Sequence, residues 1–118
     1  MTLRDCYDKL GGNYEEVLSR LRSERLIQKF VLKFPDDGSF ETLVRAVGEK
    51  NQEEAFRAAH TIKGMCQNLS FTALGRSADE LTEALRNGWS DEAPALLEKV
   101  SADYARVAGA IGELKASL

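Results

Sequence analysis

The stretch Ala55-Phe56-Arg57-Ala58-Ala59-His60-Thr61-Ile62-Lys63-Gly64-Met65-Cys66-Gln67-Asn68-Leu69 decides the fold. Ala55, Ala59, Ile62, Cys66 and Leu69 recur at alternating steps of four and three residues, the spacing of a helix that packs one stripe into a bundle. Downstream, Ser70, Phe71 and Thr72 break the pattern before Leu74, Ala78, Leu81 and Leu85 begin a second seam, which Asn87-Gly88 ends. Ala93, Leu97, Val100, Tyr104, Val107, Ile111 and Leu114 then repeat the rhythm over a long final helix, with Pro94 tolerated in its first turn.

Upstream, Ser39 is expected to cap a helix with a core face of Phe40, Leu43, Val44 and Val47, ending between Gly48 and Asn51. The turn Pro35-Asp36-Asp37-Gly38 separates it from a stripe of Leu26, Ile27, Phe30, Val31 and Phe34. Earlier still, a helix from about Thr2 to Leu10 stops at Gly11-Gly12, and Asn13 can cap a helix from Tyr14 to Leu21. Alternating strand patterns are missing. The expectation is an all-α, up-and-down antiparallel four-helix bundle over residues 39–117, with residues 1–38 as additional short helices covering one end or side of a single domain, 1–118.

Composition sets the outer limits. A chain of 118 residues, 43% hydrophobic and 30% charged, suffices for one core and excludes a multidomain machine. Sixteen basic and nineteen acidic residues leave a net charge of −3, spread over both halves, so no nucleic-acid-binding tail is present. Cys6 and Cys66 lie far apart, without the close companions of a zinc site or disulfide framework. No apolar run approaches the roughly 18 residues of a membrane span, and the start Met1-Thr2-Leu3-Arg4-Asp5 has no signal pattern. A cytoplasmic protein is expected.

His60 is the one histidine. At about 100° per residue it points roughly 140° away from the seam, toward water, and shares its stripe with Phe56, Arg57, Lys63, Gly64 and Gln67. A neutral imidazole on a rigid helix can attack an activated phosphoryl group through Nε2 if the donor can approach. Gly64 supplies clearance, Lys63 a cation for the phosphoryl oxygens, and Gln67 an amide donor. A mid-helix glycine costs about 1 kcal/mol relative to alanine, so it needs a reason, either clearance or close packing of another helix. The plainer alternative is an ordinary surface histidine above such a contact. With seven lysines and nine glycines in the chain, Lys at i+3 and Gly at i+4 follow a histidine by chance in roughly 0.5% of cases.

His60-Thr61-Ile62-Lys63-Gly64 resembles the His-x-x-Lys-Gly signature of the histidine-containing phosphotransfer (HPt) domain family, carried on the second helix of a four-helix bundle. The resemblance extends to Ala58-Ala59, Asn68-Leu69, Leu74, Ala78-Asp79-Glu80-Leu81 and Asn87-Gly88, most specifically over residues 39–117. It implies His60 as the phosphoacceptor, Lys63 as the phosphate-side cation and Gly64 as the clearance position. Ser70 stands where many members have glycine, and an ungapped comparison puts Thr82, with Arg86 one turn on, where members often carry a glutamine beside the histidine. Any restraint on the imidazole is then expected from Gln67 or water.

Other constellations read more plainly. Arg20, Arg22, Arg25, Lys29 and Lys33 form a basic stripe, taken as a solvated face in an acidic chain. Glu53, Glu54, Asp79, Glu80 and Glu83 are taken as surface solubilisers, and Trp89 as a cap on one end of the core. His60 has no carboxylate at i+3 or i+4 to help hold a metal, and no cleft for hydrolysis. With neither a nucleotide-binding glycine loop nor a magnesium-binding acid cluster, a carrier without turnover, ATP binding or cofactor is expected. By resemblance, its partners are response-regulator receiver domains or a hybrid sensor kinase, and the Mg²⁺ belongs to the receiver. A bundle with four seams of its own is expected to be monomeric. The alternative from another class is a non-phosphorylated helical adaptor that binds such partners through the same face.

Overall fold

The computed structural model describes all residues, 1–118, as helices joined by short turns and without strands. Helix α1 spans Leu3–Leu10, α2 Tyr14–Leu21, α3 Glu24–Lys33, α4 Ser39–Gly48, α5 Gln52–Leu69, α6 Thr72–Leu85 and α7 Ala93–Ala116, with a 3₁₀ turn at Phe34–Asp36. None of them is long and apolar enough to cross a membrane.

Local chemistry sets most boundaries. Thr2 caps α1 through the Asp5 amide while Asp5 bonds back to Thr2, and Asn13, Ser23 and Asn51 cap α2, α3 and α5. Gly11 ends α1 at φ 77°, and a Cβ on Gly12 would lie 2.8 Å from the Ser70 carbonyl. At α4 the expected cap moves back: Ser39 is the first helical residue, and Asp37 Oδ1 accepts from its amide at 2.8 Å. The Asp37 side chain, two residues earlier, reaches forward to make the Asx turn that the serine hydroxyl cannot make with its own amide, and the N-cap itself is Gly38, which has no side chain.

The α5 seam Ala55, Ala59, Ile62, Cys66 and Leu69 and the α6 seam Leu74, Ala78, Leu81 and Leu85 are all buried. Elsewhere the stripes are narrower than expected. Leu26, Phe30 and Val44 are exposed, and Ala46 takes the inward place on α4. Short helices present only one turn or two to a neighbour, so flanking apolar residues stay in water. Trp89 is partly buried against the core, its indole N–H donating to Asp91 at 3.3 Å.

The N-terminal helices pack along one side of the bundle and share its core. At about 1.5 Å per residue, α7 runs about 36 Å while α4 reaches about 15 Å, so α4 covers only part of it. Near the start of α4, Phe40 stacks on Tyr104 at 4.1 Å. The remaining half of α7 is taken by α1, through Lys9 to Glu113 at 2.7 Å and Arg106 Nε to the Lys9 carbonyl at 2.6 Å. Leu3, Cys6, Tyr7, Leu10, Tyr14, Val17, Ile27, Val31 and Phe34 belong to the same core cluster as the bundle seams. An unbroken line of aromatic contacts runs from Tyr14 through Tyr7, Phe71, Phe34 and Tyr104 to Phe40, joining these helices to α6 and α7.

Candidate functional site

His60 sits at the middle of α5 and is exposed, on the face opposite the buried seam. Phe56, one turn earlier, is half-buried, and its ring stacks on the imidazole with centroids 5.9 Å apart and planes 23° apart. The Arg86 guanidinium lies 5.4 Å from the Phe56 ring centre, a cation–π contact. Arg86 is steadied in turn by Glu83, which accepts from its Nε at 2.9 Å and from Nη2 at 2.7 Å. Phe56 thus lies against one face of the imidazole, a neighbour within the same helix that the sequence reading placed only on the shared stripe.

Gly64 lies one turn beyond His60, and a Cβ built on it would meet nothing within 4 Å. Close packing by another helix is thus not the reason for this glycine. Lys63 leans toward α6 and is largely covered; its Nζ pairs with Asp79 Oδ1 at 2.8 Å. Gln67 is exposed, while its backbone carbonyl accepts from Arg20. Arg57 is exposed and paired with Glu53 at 3.1 Å.

Thr82 does not join this group. It is fully buried, and its hydroxyl donates to the Ala78 carbonyl at 2.7 Å. Position 82 lies four residues after Ala78 and three before Leu85, on the inward stripe of α6. A glutamine could extend from there to the surface, whereas a threonine finds its own helix first. Arg86 does reach the neighbourhood, by way of Phe56.

Two carboxylates read as solubilisers prove to belong to the site. Asp79 and Glu83, four residues apart on α6, each hold one of the cations beside His60. Arg86 holds the Glu83 carboxyl below its usual range, with smaller contributions from Lys63 and His60. Their signal in the sequence was the i, i+4, i+7 spacing of Asp79, Glu83 and Arg86, legible only once α6 is known to flank the histidine. No three His, Cys, Asp or Glu side chains gather as a metal-binding group.

Ser70, the departure at the end of α5, takes the left-handed conformation at φ 56°. Its hydroxyl donates to Glu16 Oε1 at 2.7 Å and accepts from Arg20 Nη2 at 2.7 Å. Arg20 also donates to the carbonyls of Gln67 and Asn68, both at 2.8 Å, so this member of the basic stripe is a clamp on α5. Arg22, Arg25, Lys29 and Lys33 are exposed.

A family model, Hpt domain, matches residues 25–116. No curated protein and no solved structure matches the chain. The match takes in α4 to α7 and nearly all of α3, including every residue of the His60 face. With the helical bundle and its exposed mid-helix histidine, this coverage makes the chain a member of the Hpt domain family, the phosphocarriers of two-component signalling.

Proposed function

We propose that the chain carries a phosphoryl group on His60, accepting it from the aspartyl phosphate of one receiver domain and passing it to another. The carrying observation is the open space at Gly64: a mid-helix glycine that nothing inside the fold requires, one turn from an exposed imidazole. The helix gives up about 1 kcal/mol for that opening, and an incoming donor is what can use it.

In the transfer, the Nε2 lone pair forms the N–P bond as the bond from phosphorus to the aspartyl oxygen breaks. The aspartate leaves as a carboxylate, and Nδ1 keeps its proton. Phe56 presents the ring edge-on to the donor by covering one face. Lys63 and Arg86 supply positive charge to the phosphoryl oxygens, and Gln67 and Arg57 border the docking surface. The chain contributes no nucleotide site and no cofactor; Mg²⁺ and the acidic pocket belong to the receiver. It acts as a monomer in the cytoplasm, without nucleic acid or membrane.

The test mixes the protein with a receiver domain phosphorylated by acetyl phosphate in Mg²⁺. The expected product is an acid-labile, base-stable phosphoryl adduct that His60→Ala lacks while keeping its thermal stability within about 0.5 kcal/mol. Receivers that bind the His60 face by nuclear magnetic resonance yet never transfer would establish the adaptor reading instead.

A further inference from the structure

Lys63 lies one turn beyond the phosphoacceptor on α5, yet its charge is already engaged. It leans about 60° from His60 toward α6, and there its Nζ meets Asp79 Oδ1 at 2.8 Å. The lysine side chain is 22% exposed and the aspartate 47%, so water screens this pair less than the other ion pairs of the molecule. One turn along α6, Glu83 grips Arg86 in the same way.

A Lys ammonium has three donors but a single charge. While Asp79 holds it, a carboxylate shares the charge that a phosphoryl dianion on His60 would otherwise have alone. We propose that Asp79 is a positioning residue for the transfer: it holds Lys63 back from the phosphoryl group and so keeps phosphorylated His60 a ready donor rather than a store. This rests on the carrier reading above. When the group arrives, the N–P bond forms as the receiver's aspartyl O–P bond breaks, and Lys63 exchanges its hydrogen bond to Asp79 for one to a phosphoryl oxygen. When the group leaves, the Asp79 pair re-forms and favours its departure.

Asp79→Asn keeps the size and removes the charge. In mixtures with a phosphorylated receiver, this variant should shift the equilibrium toward phosphohistidine by about two- to fivefold, the range of an exposed to part-covered ion pair. In a Lys63→Met background the same substitution should leave the ratio nearly unchanged. No shift, or equal shifts in both backgrounds, overturns the proposal, because Asp79 then acts without Lys63.

A second arm needs no receiver. The four proteins are phosphorylated on His60 with phosphoramidate, and ³¹P resonance follows the ionisation of the phosphoryl group. Asp79→Asn should lower its midpoint by about 0.3–0.7 of a pH unit more when Lys63 is present than in the Lys63→Met background, the same two- to fivefold effect. Equal displacements overturn the proposal. A chain that no receiver phosphorylates refutes the carrier reading, while this arm still decides the role of Asp79.

Discussion

At Gly64 two physical demands conflict, and the conflict is visible at one residue. Helix propensity favours any ordinary side chain there, and a Cβ would enter open space. Gly64→Ala should therefore raise stability by about 1 kcal/mol, measured by urea unfolding. Gly64→Gln should keep the fold but slow phosphoryl transfer from a receiver about tenfold, roughly 1.4 kcal/mol in the barrier. Unchanged rates with the larger side chain would remove the clearance argument. The exposure of His60 follows from the angular period alone, since its stripe is set by neighbours within two turns. The burial of Thr82 follows from the same rule applied to α6, which the ungapped comparison with a glutamine obscured.

Among the elements, the end of α5 shows how a left-handed residue other than glycine is held. Ser70 bears the strain of φ 56° while its hydroxyl joins Glu16 on α2 to Arg20, which clamps the last carbonyls of α5. Ser70→Ala keeps the strain and removes the hydroxyl, so a loss of about 1–2 kcal/mol is expected. Ser70→Gly also loses the bonds but relieves the backbone, and should cost less than Ser70→Ala. Denaturant midpoints of the two variants check the order; glycine proving the worse would mean that the backbone is not strained. The boundaries of α1 and α2 were legible because their caps are local, whereas the Asn51 cap of α5 went unread and the first amide of α4 goes to Asp37 rather than being capped by Ser39.

For the molecule as a whole, residues before the family match are structural. Removing residues 1–23 takes Leu3, Cys6, Tyr7, Leu10, Tyr14 and Val17 from the core and cancels the Tyr7 hydroxyl bond to the Leu69 carbonyl at 2.8 Å. At about 1.5–3 kcal/mol for each large apolar side chain, the loss is comparable to the roughly 5–15 kcal/mol that holds a domain together. The truncated chain should show no cooperative unfolding transition by circular dichroism; a retained one would make these helices dispensable. The same core shields both thiols. Burial pushes Cys6 up to about 11, with Glu113 adding, and Cys66 to about 12. Iodoacetamide at pH 8 should label neither in the native protein and both in urea. Because these values lie above that of an unfolded thiol, near 9, their contribution to stability is present below pH 9 and is lost as pH rises toward 11 and 12. The urea midpoint should fall over that window.

By itself the sequence determined the all-helical architecture, the seams of α5, α6 and α7 and the outward direction of His60. Each of these depends on angles accumulated over a few residues, and the His-x-x-Lys-Gly spacing is local in the same sense. Only the tertiary structure decided that Lys63 pairs with Asp79, that Arg86 reaches the imidazole through Phe56, and that α1 completes the bundle along α7 where α4 stops short. Those contacts join residues distant in the chain, and their distances depend on how helices of unequal length pack. No periodicity within a single helix carries that information.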